Sequence, residues 1–206
     1  MRLINPSEIQ QRSFDIIDSE VSEPRPFYGK KWEIVRRMIH SSADFELLSK
    51  VCFHKDAVDS GLNAIKAGAY IITDTKMVLA GLNKKRLKRY GCKLRCFISR
   101  EEVKKIAYEK GVTRAWASVD FAIPYIDASI YVIGNAPTAL IRLLELIEDK
   151  RCSPSLIIGM PVGFFNVEEA KERLISQNSV PYITVMGRKG GSTLVVAVIN
   201  QFLDFL

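Results

Sequence analysis

The sequence predicts a three-layer α/β/α protein: a five-stranded parallel sheet between two layers of helices, preceded by a helical arm. Three observations lead there. Five short apolar runs alternate with stretches of helical periodicity, the pattern of repeated βαβ units. The runs are continuously apolar, as strands covered on both faces are. Several of them end in Gly-, Asn- or Thr-containing turns that lead directly into a helix. Residues 1–206 are read as one domain, with the arm over about 1–54 and the parallel core over about 55–206.

The elements follow in order. Asn5-Pro6-Ser7-Glu8 opens the first helix, with Asn5 as cap, Pro6 at the first helical position and Glu8 three residues after the cap. Ile9, Phe14, Ile16 and Ile17 give this helix an apolar side, and Ser13 lies near it. Residues 21–29 hold Pro24, Pro26 and Gly29 and form a loop. Trp32, Val35, Met38 and Ile39 recur at helical spacing, so an amphipathic helix follows. Residues 43–51 continue as helix, and His54 sits in a surface loop with no assigned role. Asp56 caps a helix to about Lys66, closed by Gly68.

The first strand is 69–73, and the next helix runs from Thr75 to Ala80. Lys84-Lys85-Arg86-Leu87-Lys88-Arg89 is a solvated face on a short helix. The second strand is 93–98. Ser99-Arg100-Glu101-Glu102 forms a capping box for a helix to Lys110, and 113–123 is a further helix broken by Pro124. The third strand, 129–133, enters Gly134-Asn135-Ala136-Pro137-Thr138 and a helix over 137–149. The fourth is 155–158, followed by Gly159-Met160-Pro161-Val162-Gly163; Asn166 and Glu169 box the helix after it. The fifth is 181–186, and Gly187-Arg188-Lys189-Gly190-Gly191-Ser192 leads into a C-terminal helix.

Composition bounds the function. Thirty Lys and Arg against 23 Asp and Glu give a net charge of +7, which attracts anionic ligands. No apolar run approaches the ~20 residues that span a bilayer. Met1 to Pro6 lacks the apolar segment of a signal peptide, so a cytoplasmic protein is expected. Cys52, Cys92, Cys96 and Cys152 form no C-x-x-C pair, so reduced thiols and no metal site are expected. The 187–192 stretch lacks the P-loop spacing, and no dinucleotide fingerprint, nucleophile elbow or H-E-x-x-H motif occurs. Nucleotide hydrolysis, dinucleotide chemistry and those hydrolase classes are thereby excluded.

The chemistry concentrates in Arg36-Arg37-Met38-Ile39-His40-Ser41-Ser42, which holds one of only two histidines. Arg37 and His40 are three apart, hence neighbours on a helix surface. A permanent cation beside a histidine can hold an anion and move a proton on it. On spacing alone the plainer reading, a histidine favoured by the dipole at a helix C-terminus, is preferred. In open parallel sheets ligands bind beyond the carboxyl ends of the strands. Those ends carry Thr73-Asp74-Thr75, Gly134-Asn135, Gly159-Met160-Pro161 and Gly187-Arg188. Glycine-rich turns there can aim backbone N–H groups at an anion.

Four segments together resemble the precorrin-8X methylmutase family: 37–40 (Arg-Met-Ile-His), 66–69 (Lys-Ala-Gly-Ala), 133–140 and 159–164. Gln11-Arg12-Ser13-Phe14 and the 187–192 loop match as well, so the likeness runs from about Ile9 to the C-terminus. The resemblance implies a flavodoxin-like, doubly wound sheet and a homodimeric enzyme of cobalamin biosynthesis. It implies an isomerase that moves a methyl group from ring carbon 11 to ring carbon 12 of a corrin precursor, with cobyrinate or hydrogenobyrinate as product. His40 takes the family's proton-transfer position. Ser13 and Arg37 match substrate contacts, as do Arg114, Asn135 and Thr138 less closely. No cofactor is implied, since any cobalt belongs to the substrate. The Lys- and Ile-rich, cysteine-containing composition favours cobalt-precorrin-8 over the metal-free compound. A non-catalytic tetrapyrrole carrier and a nucleic-acid-binding protein are the other readings, and the dispersed charge speaks against the second.

Overall fold

The computed structural model describes residues 5–206; residues 1–4, part of the segment read for a signal peptide, lie outside the described residues. In chain order the elements are α1 (Pro6–Glu20), α2 (Gly29–Ser42), α3 (Leu47–Lys50), β1 (Val51–Phe53), α4 (Ala57–Lys66), β2 (Tyr70–Thr73), α5 (Lys76–Gly81) and α6 (Lys84–Arg89). There follow β3 (Lys93–Arg95), α7 (Glu101–Lys110), α8 (Arg114–Ala122) with a 3-10 turn at Ile123–Tyr125, β4 (Ile130–Ile133) and α9 (Pro137–Glu148). The chain closes with β5 (Leu156–Gly159), α10 (Val167–Ser176), β6 (Tyr182–Val185) and α11 (Ser192–Asp204).

The sheet order is β1-β6-β5-β4-β2-β3. All neighbours are parallel except β1, which runs antiparallel to β6. Numbered among themselves, the five parallel strands read 2-1-3-4-5, the flavodoxin-like order. The five-stranded expectation therefore needs correction to six, with an antiparallel edge strand. Val51, Cys52 and Phe53 pair with Val185, Thr184 and Ile183, inside the stretch assigned to the arm. Three residues directly after a helical turn are too few to show their own period, so the sequence pattern merges them with the helix.

Strand β4 explains why the runs are continuously apolar. Ile130 and Val132 enter a core beneath α2, α4 and α11, with Ile65, Ile158, Val195 and Phe202. Tyr131 and Ile133 enter the opposite core, with Val103, Val119, Leu143 and Leu174. Alternate side chains leave opposite faces, and both faces are covered. At the other edge, β3 ends at Arg95 rather than 98, and its Lys93 and Arg95 are exposed. Charged side chains of this kind discourage edge-to-edge pairing.

Capping departs from the sequence pattern at three helices. Asp56, Arg100 and Asn166 precede α4, α7 and α10, and none makes a side-chain cap bond. Asn166 adopts the left-handed conformation, φ 57°, instead of the extended one a box requires. Thr75, Asn83 and Thr113 do cap, accepting from Val78, Arg86 and Trp116 backbone N–H. As expected, Lys84, Lys85, Lys88 and Arg89 of α6 face solvent.

Asp18 fixes α1 to α2. Its carboxylate accepts from Trp32 Nε1 at 2.8 Å, Arg36 Nη1 at 2.6 Å and Arg25 Nη1 at 3.2 Å. Phe14 and Ile17 of α1, with Val21 just after it, are buried, while Ile9 and Ile16 stay exposed. The apolar side read from sequence is thus divided: part is core, and part faces outward beside the site.

Candidate functional site

Helix α2 ends where Ala43 turns left-handed, φ 52°, and donates its N–H to Ile39. His40 lies in that last turn and is exposed. Among the described residues neither of its ring nitrogens is hydrogen-bonded. The ring meets the edge of Phe14 at 5.2 Å between centroids, and the Arg36 guanidinium covers Phe14 at 4.4 Å. Ser13, Ile16 and Glu20 from α1 and His40, Ala43 and Phe45 line a cavity of about 310 Å³. Ser13 Oγ donates to Ile9 O at 2.9 Å, which leaves its lone pairs as acceptors. Ser13 and His40 thus line the same cavity.

Arg37 goes elsewhere. Its Nε donates to Gln201 Oε1 at 2.6 Å and its Nη2 pairs with Asp204, both on α11. Asp204 is also held by Arg86 Nη1 at 2.5 Å. Three residues along a helix make neighbours, but the acceptors on α11 draw the guanidinium away from His40. The expected cation–imidazole pair is therefore corrected: Arg37 closes α2 onto α11 and retains Nη1 for anything further.

The carboxyl end of β4 holds the next expected group. Asp74, 1% exposed at the end of β2, accepts from the backbone N–H groups of Gly134 (3.1 Å), Asn135 (2.8 Å) and Ala136 (2.9 Å). Burial pushes its carboxyl above the ordinary value, and those three donors pull it back. Ala136, the N-cap of α9, offers no side-chain cap, and its own backbone N–H is held by Asp74 from the neighbouring strand. The anion-accepting turn expected here exists, but an internal carboxylate occupies it. Asn135 is exposed, and Thr138 and Thr113 hydroxyls lie 2.8 Å apart, which brings the start of α8 beside the start of α9. Arg114 is exposed in the first turn of α8. Arg114, Asn135 and Thr138 form a second group, outside the cavity that holds Ser13 and His40.

Beyond β6, the 187–191 loop supplies cations. Lys189 Nζ pairs with Asp44 at 2.7 Å and Glu46 at 3.1 Å. With Ser41, Ser42 and Val162 it borders a second cavity, about 370 Å³, on the other flank of the α2 terminus. At Gly190 any Cβ would overlap the carbonyl oxygens of Met160 and Pro161, so the loop packs on the turn after β5. That turn exposes Phe164 and Phe165, 85% and 82%, with Arg188 5.6 Å over the Phe164 ring.

Sequence reasoning overlooked Phe14, Glu20 and Lys171. Periodicity marks Phe14 only as core, and Glu20 only as a helix-end charge. Lys171 is fully buried, and nothing in the pattern of α10 distinguishes it from a solvent-facing lysine. His54 is half-buried, and its Nδ1 accepts from Asp56 N–H at 3.2 Å, a loop-shaping bond. All four cysteines are free thiols; burial raises Cys52, Cys92 and Cys152, the last to about 11.

A flavodoxin-like sheet with an exposed, unpartnered histidine near the strand carboxyl ends, an adjoining apolar cleft and a surplus of cations defines a small-molecule enzyme of the doubly wound α/β class. Its family follows from likeness. A sequence model described as Precorrin-8X methylmutase matches residues 8–205. The chain is 46% identical over 202 residues to the cobalt-precorrin-8 methylmutase of Leptospira interrogans, covering 95% of this chain and 91% of that one. It is 43% identical over 197 residues to the cobalt-precorrin-8 methylmutase of Priestia megaterium, covering 96% and 87%. The crystal structure of precorrin-8x methyl mutase from Thermus thermophilus superposes with a TM-score of 0.87 at 44% identity, over 96% and 94% of the two chains. The chain belongs to the precorrin-8X methylmutase family, a family of isomerases.

Proposed function

We propose that this chain is a cobalt-precorrin-8 methylmutase, moving a methyl group from ring carbon 11 to ring carbon 12 to give cobyrinate. One observation carries the reading: an unpartnered His40 shares a cavity with Ser13 in a chain of the methylmutase family. The shift rearranges one molecule, so methyl donor and acceptor are the same compound and no redox partner is required. What the reaction needs is altered electron distribution in the conjugated ring. His40 donates a proton or hydrogen bond to the macrocycle and lowers the barrier to a 1,5-sigmatropic shift. Ser13 accepts beside it, and Arg37 Nη1, Arg114, Asn135 and Thr138 serve the polycarboxylate rim.

The names of the Leptospira and Priestia relatives support the cobalt-bearing substrate. Incubation with cobalt-precorrin-8 and with metal-free precorrin-8X, followed by absorbance, tests it. Turnover of the cobalt compound is expected to exceed that of the metal-free one. Preference for metal-free precursor reverses the substrate assignment, and tight product binding with no conversion of either makes the protein a carrier.

The same reading includes a homodimer. A cavity of about 310 Å³ stands at the small end for drug-sized ligands, and a decorated tetrapyrrole is larger. Exposed Ile16, Phe164 and Phe165 supply apolar surface near the strand ends. A second copy completes a pocket that one protomer only begins. Sedimentation is expected to give a dimer at micromolar protein; full activity in a monomer at nanomolar protein defeats this part.

A further inference from the structure

Lys171 of α10 is 0% exposed and takes no part in the chemistry above. Its Nζ donates to Gly187 O at 2.7 Å and Lys189 O at 2.6 Å. Two carbonyls of one loop turn inward to a single ammonium because Gly187 adopts φ +73°, open to glycine. A Cβ at Gly187 would lie 3.8 Å from Glu168 Oε1 and 3.9 Å from Lys50 Nζ, so charges of both signs flank the clamp. Burial lowers the Lys171 ammonium to about 8, and Glu168 acts in the opposite direction. The two carbonyls also favour the charged form.

The outer side of the loop reaches the site. Lys189 is tied through its carbonyl to Lys171 and through its ammonium to Asp44 and Glu46. Lys189 holds the Asp44 carboxyl below its ordinary value. Asp44 directly follows Ala43, the left-handed residue that ends α2, and Ala43 and Phe45 line the His40 cavity. The path is continuous: buried ammonium, loop carbonyls, loop ammonium, carboxylates of the 44–46 turn, cavity wall.

We propose that Lys171 is a positioning residue, whose buried ammonium holds the Gly187–Gly191 loop and, through Lys189, the turn that shapes the His40 cavity. The inference rests on the proposed function only for its service to the reaction. The clamp itself does not.

Two variants and two readouts test it. Lys171→Met removes the donors while keeping a long side chain; Lys189→Met cuts the same path from its exposed end. Hydrogen exchange on the ligand-free protein is expected to quicken about tenfold or more at 187–191 and 43–46 in either variant, with β4 and β5 unchanged. With cobalt-precorrin-8, kcat is expected to fall about ten- to hundredfold in each while KM moves less than about threefold. Lys189 is already spent on Asp44 and Glu46, so its loss misplaces His40 without removing an anchor. The double variant is expected to lose little more than either single one, as residues of one path do. Unchanged exchange in the two segments overturns the clamp. Loosened segments with normal kcat, or losses that multiply in the double variant, overturn the positioning role. If Lys171→Met does not fold, Lys189→Met alone decides by the same exchange and kcat criteria. Local loosening in a protein whose wild type turns over no precursor sustains the clamp and defeats the proposed function.

Discussion

His40→Ala is expected to lower kcat on cobalt-precorrin-8 by ~10²–10⁴-fold, the range that a positioned acid–base group supplies. The loss falls on catalysis and not on folding, for a structural reason. His40 is exposed, forms no hydrogen bond among the described residues, and meets the Phe14 ring at 5.2 Å between centroids. Surface substitutions of this kind stay within about 0.5 kcal/mol of wild-type stability. Substrate affinity is also expected to change little, since Ser13, Ile16 and Phe45 remain in the cavity wall. His40→Gln separates two versions of the role. An amide can donate a hydrogen bond but cannot release a proton near neutrality. Activity kept in Gln and lost in Ala means hydrogen bonding suffices; loss in both means a proton moves. Near-normal turnover of His40→Ala at saturating substrate would remove His40 from the mechanism.

Asp74→Ala is expected to destabilise the fold by about 3–5 kcal/mol, the cost of leaving buried partners of a charged group unpaired. The carboxylate answers three backbone N–H groups that no other side chain reaches, the last of them on Ala136, the N-cap residue of α9. Its neighbours spread the damage. Thr73 Oγ1 donates to Thr75 O at 3.0 Å, and the Thr75 hydroxyl lies 3.5 Å from that of Ser192 at the start of α11. Asp74→Asn keeps the shape and one acceptor oxygen but turns an NH₂ toward donors, so a loss of about 1–3 kcal/mol is expected. Urea titration measures both: the midpoint should fall with the slope unchanged. A wild-type midpoint for Asp74→Ala would mean the turn holds without its carboxylate.

Four of the five parallel strands were legible as apolar runs bounded by turn residues and buried on both faces; β3, with Lys93 and Arg95 exposed, is an edge strand that keeps only Leu94 of its expected apolar run. β1 was not, because pairing with β6 rather than any local pattern makes Val51–Phe53 a strand. The candidate site divides the same way. Ser13 and His40 meet because both lie on helices whose apolar faces are readable. Arg37 was misplaced because its partners, Gln201 and Asp204, stand more than 160 residues away and carry no local signal. The turn at Gly134-Asn135 was correctly read as able to hold an anion. Only the folded chain reveals that the anion is Asp74. The capping box at Ser99 failed because α7 starts one residue later, with Arg100 in the extended cap position, and the one at Asn166 because its backbone is left-handed.

That internal carboxylate has a consequence for selectivity. In sheets of this strand order the switch point between the first and third parallel strands is where flavin phosphates settle. Here the berth is filled before any metabolite arrives, by a carboxyl group that takes up all three of its backbone donors. The three N–H groups that could hold a phosphate in this cradle are already bonded to Asp74, so any anion-binding donors for a ligand lie elsewhere, among the cations nearer the surface.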